Sequence, residues 1–227
     1  MRILWWLLRW LVLGTLLLAG VYFGGPYLLH GAGRYLISAD PPAKADLVLV
    51  LAGHPFLTVP EAARLYHEGL APRILLTNPP REPGQEELLR VGLKYPSEQE
   101  LARKLLEELR VPREAILELG ERTPTLPAEV QAVAGFLRSR SERSLIAVTA
   151  KARSTRTRML LRPALRPGLA LRMHPAPGDP YDPSRWWTEP RDRRLVCEEA
   201  VGLLVDWAKR AGDFVWDQSS PPPITVR

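Results

Sequence analysis

Cysteine is almost missing from this chain: one residue, Cys197, in 227. A single thiol excludes an internal disulfide and any cysteine-based zinc site. Histidine is scarce and scattered, at positions 30, 54, 67 and 174, so a His-rich metal site is not expected. No G-x-G-x-x-G follows the first strand, and there is no Walker loop, G-x-S-x-G elbow or H-E-x-x-H. No cofactor or metal is therefore indicated. Positive charge is also thin. The formal balance is +6, and it falls to about +4 once Arg2 and Arg9 are set apart. That is too diffuse to indicate a nucleic-acid partner, which needs a basic face or a recognisable module. Internal repeats are absent.

What is present is unevenly placed. Mean hydropathy is near neutral, −0.12, yet the stretch Trp10–Leu29 carries no charge over 20 residues. About 20 apolar helical residues span a bilayer core of roughly 30 Å. Trp5, Trp6, Trp10, Tyr22 and Tyr27 lie towards its two ends, where interfacial aromatics belong. Residues 1–29 therefore read as an N-terminal transmembrane helix, with residues 4–29 meeting lipid. A cleavable signal peptide is the competing reading. The apolar run exceeds the usual signal length and no A-x-A site follows it, which favours a retained anchor. Arg2, Arg9 and the terminal amine place the N-terminus in the cytoplasm and the remaining chain outside. With 23 prolines and 26 arginines against 5 lysines, the composition fits a bacterial plasma-membrane protein.

Residues 30–44 read as a linker ending in Asp40-Pro41-Pro42, which cannot continue a helix. From 45 to 211, strands and helices alternate. Strands are expected at 46–53, 73–77, 115–119, 144–149 and 169–173. Helices are expected at 60–68, 97–110, 127–138, 154–165 and 193–210. Residues 78–95 form a long loop, and Glu100 completes a capping box opened by Ser97. The fold class is α/β, a Rossmann-like three-layer sandwich with a mostly parallel sheet. Residues 212–227, with Pro221-Pro222-Pro223, read as a mobile tail.

In open parallel sheets ligands bind beyond the carboxyl ends of the strands. The loops falling there carry Gly53 and His54, Thr77 and Asn78, Thr125, and the segment Thr149 to Arg158. That last segment opens a helix, whose N-terminal N–H groups and partial positive charge favour anions. Lys151, Arg153 and Arg156, with Ser154 and Thr149, make it a candidate phosphate clamp. A solvated basic face is the alternative.

At these residues the chain resembles the domain of unknown function 218 family, the YdcF/SanA/ElyC-like bacterial envelope proteins. The likeness runs from about Ala45 to Lys209. It rests on Ala45-Asp46-Leu47-Val48-Leu49-Val50-Leu51-Ala52-Gly53, then Ala63 to Thr77 with Gly69, Ala71-Pro72 and Ile74-Leu75. Ser97-Glu98, Arg110-Val111-Pro112, Val148-Thr149-Ala150 with Arg156, and Trp186-Trp187 continue it in order. Departures cluster near the expected pocket: Thr58 for an arginine, Thr77-Asn78-Pro79 for S-G-G, Arg153 for a histidine, and Gly202 near a usual lysine. The chain is thus similar to a divergent member.

The resemblance implies cell-envelope or peptidoglycan precursor metabolism, with a phosphate-bearing precursor as ligand. It also implies a pocket role for Glu98, whose other role is to stabilise its helix dipole. Glu129 is a second carboxylate that could serve as general base, against a plain first-turn role. Three functions stay open: ligand binding at an anchored envelope protein, hydrolysis or transfer at such a phosphate, and a catalytically degenerate interaction scaffold.

Overall fold

Five short apolar runs build the sheet. In the computed structural model, which describes residues 2–81 and 83–219, these are Leu47–Val50 (β1), Ile74–Leu76 (β2), Ile116–Glu118 (β3), Ser144–Thr149 (β4) and Ala170–Pro175 (β5). All pairs are parallel, in the order β3-β2-β1-β4-β5. β1 is central and buried on both faces, which is why its sequence is an unbroken apolar run and not an alternation. Asp46 sets its register against β4. Its Oδ2 accepts the N–H groups of Arg143 and Ser144 at 2.7 and 2.9 Å and the Ser144 hydroxyl at 2.9 Å.

Seven helices accompany the described strands: Arg2–Tyr35 (α1), Pro55–His67 (α2), Pro83–Arg90 (α3), Glu98–Glu108 (α4), Leu126–Arg138 (α5), Ser154–Ala164 (α6) and Pro190–Ser219 (α7). Val48, Val50, Ile74, Leu76, Ile146 and Val148 face α2 and α4, packing against Val59, Leu65 and Leu106. The alternate residues Leu47, Leu49, Leu75, Leu145 and Ala147 face α5 and α6, against Val130, Val133, Leu137 and Leu161. Period-two alternation of strand side chains thus feeds two separate cores. A third, smaller core joins Leu36 to Ala152, Tyr181 and Val196.

Several boundaries differ from the sequence expectations, each for a local reason. α2 begins at Pro55, not Pro60, because a proline at the first helical position needs no N–H partner; Pro60 lies within the helix. The expected loop at 78–95 contains α3, a two-turn amphipathic helix. α1 continues through residues 30–35 of the expected linker. It is held there by the segment between β5 and α7: Trp186 Nε1 donates to Leu29 O at 2.7 Å and Tyr181 Oη to Gly33 O at 3.0 Å. Gly33 is required at that contact, since a β-carbon would meet the Trp186 ring at 2.5 Å. α7 runs on to Ser219, through half of the expected tail; residues 220–227 lie outside the described residues. Among the described residues, one helix, over Arg9–Tyr35, is long and apolar enough to cross a membrane.

Candidate functional site

The strand order reverses direction between β1 and β4, so the loops after these strands diverge and leave a crevice at the sheet's carboxyl edge. Ala52, Gly53 and His54 come from one loop. Arg153 comes from the other, at the end of a single tight turn, Lys151–Arg153, that precedes α6.

Glu129 occupies the floor. It stands in the first turn of α5, but its side chain turns inward and is buried. Its Oε1 accepts the Ala52 N–H at 2.8 Å and the Thr77 hydroxyl at 2.5 Å. Burial pushes its carboxyl above the usual range, and the bonds from Thr77 and Ala52 only partly offset that. A carboxyl so placed retains its proton to higher pH than an exposed one.

Arg153 grips the other side of the same residue. Its Nη1 donates to Ala52 O at 2.8 Å, while its buried Nε lies 3.5 Å from Glu199 Oε1 without a hydrogen bond. Gly53 must be glycine here. Its φ is +112°, and a β-carbon would meet Arg153 Nη1 at 2.7 Å. The Gly53 N–H donates to Glu98 Oε1 at 2.6 Å. The two candidate carboxylates are therefore brought to one loop, on consecutive backbone N–H groups. Glu98 opens α4, whose cap is the expected box: Ser97 Oγ accepts from Glu100 N–H, and Glu100 accepts from Ser97 N–H at 2.7 Å.

Two open clefts flank His54. One, about 450 Å3, is lined by Gly53, Phe56, Tyr95 and Glu98; the other, about 500 Å3, by Leu57, Asp179, Arg191 and Arg194. Partial burial, and then the nearby Arg153 charge, hold the His54 imidazole below its usual value. Arg191 and Arg194 were not singled out in the sequence; only their place on α7 brings them to this cleft.

The remaining candidates have other partners. Asn78 Nδ2 donates to Gly120 O at 3.2 Å, and Asn78 O accepts from Thr123, so Asn78 ties the β2 and β3 loops together. Thr125 caps α5, its hydroxyl accepting from Ala128 N–H at 3.3 Å. Thr149 is buried at the end of β4. Lys151 is bound to Asp179, its backbone N–H to Oδ2 at 2.7 Å and its Nζ to the carbonyl at 2.6 Å.

Donors at the N-terminus of α6 are also taken. Thr155 N–H donates to Leu36 O at 3.1 Å, Ser154 N–H to Lys151 O, and the Ser154 hydroxyl to Lys151 O at 2.7 Å. Arg156 is directed at α7, with Nε 2.7 Å from Asp206 and Nη1 3.5 Å from Glu199. The clamp read from Lys151, Ser154 and Arg156 thus closes on protein groups, because α7, the β5–α7 connection and the segment after α1 supply the carboxylates and carbonyls. Of the three cations of the expected clamp, Lys151, Arg153 and Arg156, Arg153 alone is bonded to the β1 loop.

A further groove of about 600 Å3 lies beside the amino half of β5, lined by Arg158, Arg162, Arg166 and Arg172. Arg158 is paired with Asp40, and Arg166 donates to the carbonyls of Arg140 and Glu142. Among the described residues, no three His, Cys, Asp or Glu side chains are grouped as metal ligands would be. No protein-family model matches this chain, and no curated protein matches it.

Proposed function

We propose that this is a bacterial inner-membrane protein of the YdcF/SanA/ElyC-like type. In this reading α1 is its single span, and the α/β domain lies outside the cytoplasm. There it binds a phosphate-bearing precursor of the cell envelope or peptidoglycan in the crevice between β1 and β4. The observation that carries the reading is the double grip on Ala52. Glu129 and Arg153 fix the β1 loop rigidly at the switch point of a parallel sheet, the place where such sheets take ligands. Arg153 has one donor committed to Ala52 and a buried Nε without a hydrogen-bond partner. Its guanidinium is suited to phosphate oxygens. His54, Arg191 and Arg194 extend that polarity along the adjoining cleft.

The test is equilibrium binding of an isoprenyl pyrophosphate to the full chain in detergent micelles. Arg153→Ala weakens binding on the order of tenfold, the loss of about one charge-assisted hydrogen bond. Arg162→Ala, in the β5 groove, leaves it unchanged. Unchanged binding by Arg153→Ala overturns the site, and a loss confined to Arg162→Ala moves the ligand to β5.

One observation favours a second reading, hydrolysis or transfer at the bound phosphate. Glu129 holds a proton more tightly than an exposed glutamate, and Glu98 lies on the adjacent N–H. Two carboxyl groups on one loop supply the residue types that acid and base catalysis needs. Phosphate release from the same ligand, abolished by Glu129→Gln or Glu98→Gln, would support it; release that survives both substitutions would remove it.

A further inference from the structure

Over residues 199–207, between the exposed Arg193, Arg194 and Glu198 and the exposed Lys209, α7 is amphipathic the wrong way round for a surface helix of a water-soluble domain. Within that stretch Glu199 and Asp206 are buried, 6% and 4% exposed, on the side that meets Arg156. Its apolar residues Val201, Leu204, Val205 and Trp207 point outward, with Leu204 and Trp207 at 66% and 64% exposure. At 100° per residue, positions 201, 204, 205 and 208 share one face, and Trp207 flanks it. Large exposed apolar patches mark a surface that something covers.

The patch adjoins α1. A groove of about 580 Å3 runs between the two helices, lined by Tyr35 and Leu36 from the end of α1, by Met159 of α6, and by Leu203, Leu204 and Trp207 of α7. The last apolar turn of the candidate span and the inverted face of α7 are therefore one continuous surface. Tyr35 and Trp207 are the amphipathic aromatics favoured at a membrane–water boundary. The exposed Arg34 and Lys209 lie beside them in the chain, placed to meet anionic headgroups.

We infer that the outward face of α7 lies in the interfacial layer of the same bilayer that α1 enters, with hydrocarbon chains of lipid filling the α1–α7 groove. The helix is then a second, surface-lying membrane contact. Burying Glu199 and Asp206 against Arg156 keeps their charge off the outward face, which leaves Val201, Leu204, Val205 and Trp207 free for lipid. This inference rests on the reading of α1 as a membrane span, and the experiment separates the two.

The full chain carrying Cys197→Ser receives single nitroxide-labelled cysteines: Leu18→Cys in α1, Leu204→Cys in α7, and Gln131→Cys on the exposed side of α5. It is reconstituted in vesicles of phosphatidylcholine and phosphatidylglycerol. Collisions with oxygen, which concentrates in lipid, are compared with collisions with a water-soluble nickel chelate. The labels at 18 and 204 both shift several-fold towards oxygen relative to that at 131. A lipid-exposed label at 18 with a nickel-exposed label at 204 overturns the inference while leaving the anchor intact. Nickel access at both positions overturns the anchor and the inference together. A label at 204 shielded from both reagents, with spin–spin broadening between chains, gives the face to a second copy and also overturns it.

Discussion

Glu129 and Arg153 hold the same residue from opposite sides. The carboxylate accepts the Ala52 N–H and the guanidinium donates to the Ala52 carbonyl, each at 2.8 Å. Neither contact lies within one element, for the partners stand 77 and 101 residues away. The β1 loop is therefore tied at Ala52 to two distant elements, as a preorganised binding edge requires.

Removing the floor of that site should cost stability in a way that depends on the replacement. Glu129→Ala leaves the Ala52 N–H and the Thr77 hydroxyl without their acceptor, a loss of about 1–3 kcal/mol. Glu129→Gln keeps an Oε1 that can accept both bonds. Urea unfolding of the full chain in micelles measures both.

The same pair predicts a pH dependence. Burial raises the Glu129 pKa in the folded chain, so the fold binds that proton more tightly than the unfolded chain does. The resulting stabilisation is full below the ordinary glutamate range and is lost as pH rises through the raised folded value. Glu129→Gln cannot titrate. The stability of the wild type relative to Glu129→Gln should therefore fall as pH rises above the ordinary glutamate range. A difference that is flat or rises with pH would mean that Glu129 is not held protonated.

The Arg156 network gives a larger effect. Arg156→Ala leaves Asp206 as an uncompensated buried carboxylate and Glu199 with Arg153 alone, at a cost of about 3–5 kcal/mol. Gly202 faces the same guanidinium, and a β-carbon there would stand 2.4 Å from it. Glycine at 202 thus makes room for the Arg156 guanidinium. Thermal unfolding of Arg156→Ala in micelles, set beside Arg162→Ala as an exposed control, reads the difference.

Arg110 offers the opposite sign. It follows the C-terminus of α4 with φ +64°, the left-handed region that favours glycine. Relieving that strain by Arg110→Gly outweighs the added chain entropy, for a gain of about 1 kcal/mol in urea unfolding.

Much of the scaffold was legible because its signals are local. The continuous apolar run at 144–149 matches β4 at both ends, and Ser97 with Glu100 announced the cap of α4. Pro60 misplaced the start of α2 because either proline could have opened the helix, and only the loop geometry after β1 chooses Pro55. The site was legible as a place but not as a set of contacts. First-turn carboxylates such as Glu129 are ordinarily exposed, and its burial depends on Thr77 and Ala52 in other loops. The clamp residues Lys151 and Arg156 were cations in the expected place. Their partners Asp179 and Asp206 lie 28 and 50 residues downstream, with no spacing that betrays the pairing.

The central claim is that the crevice after β1 and β4 takes a phosphate-bearing ligand, and photocapture at that crevice tests it most directly. Phe56 is exposed and lines the cleft beside Gly53 and Glu98, so Phe56→benzoylphenylalanine places a reactive ketone there with little change of shape. The same residue at Gln131, on α5, is the control. On illumination of the full chain with an isoprenyl pyrophosphate, capture should occur at 56 and not at 131, and inorganic pyrophosphate should suppress it. Capture equal at both positions, or capture at 56 that pyrophosphate does not reduce, would contradict the account.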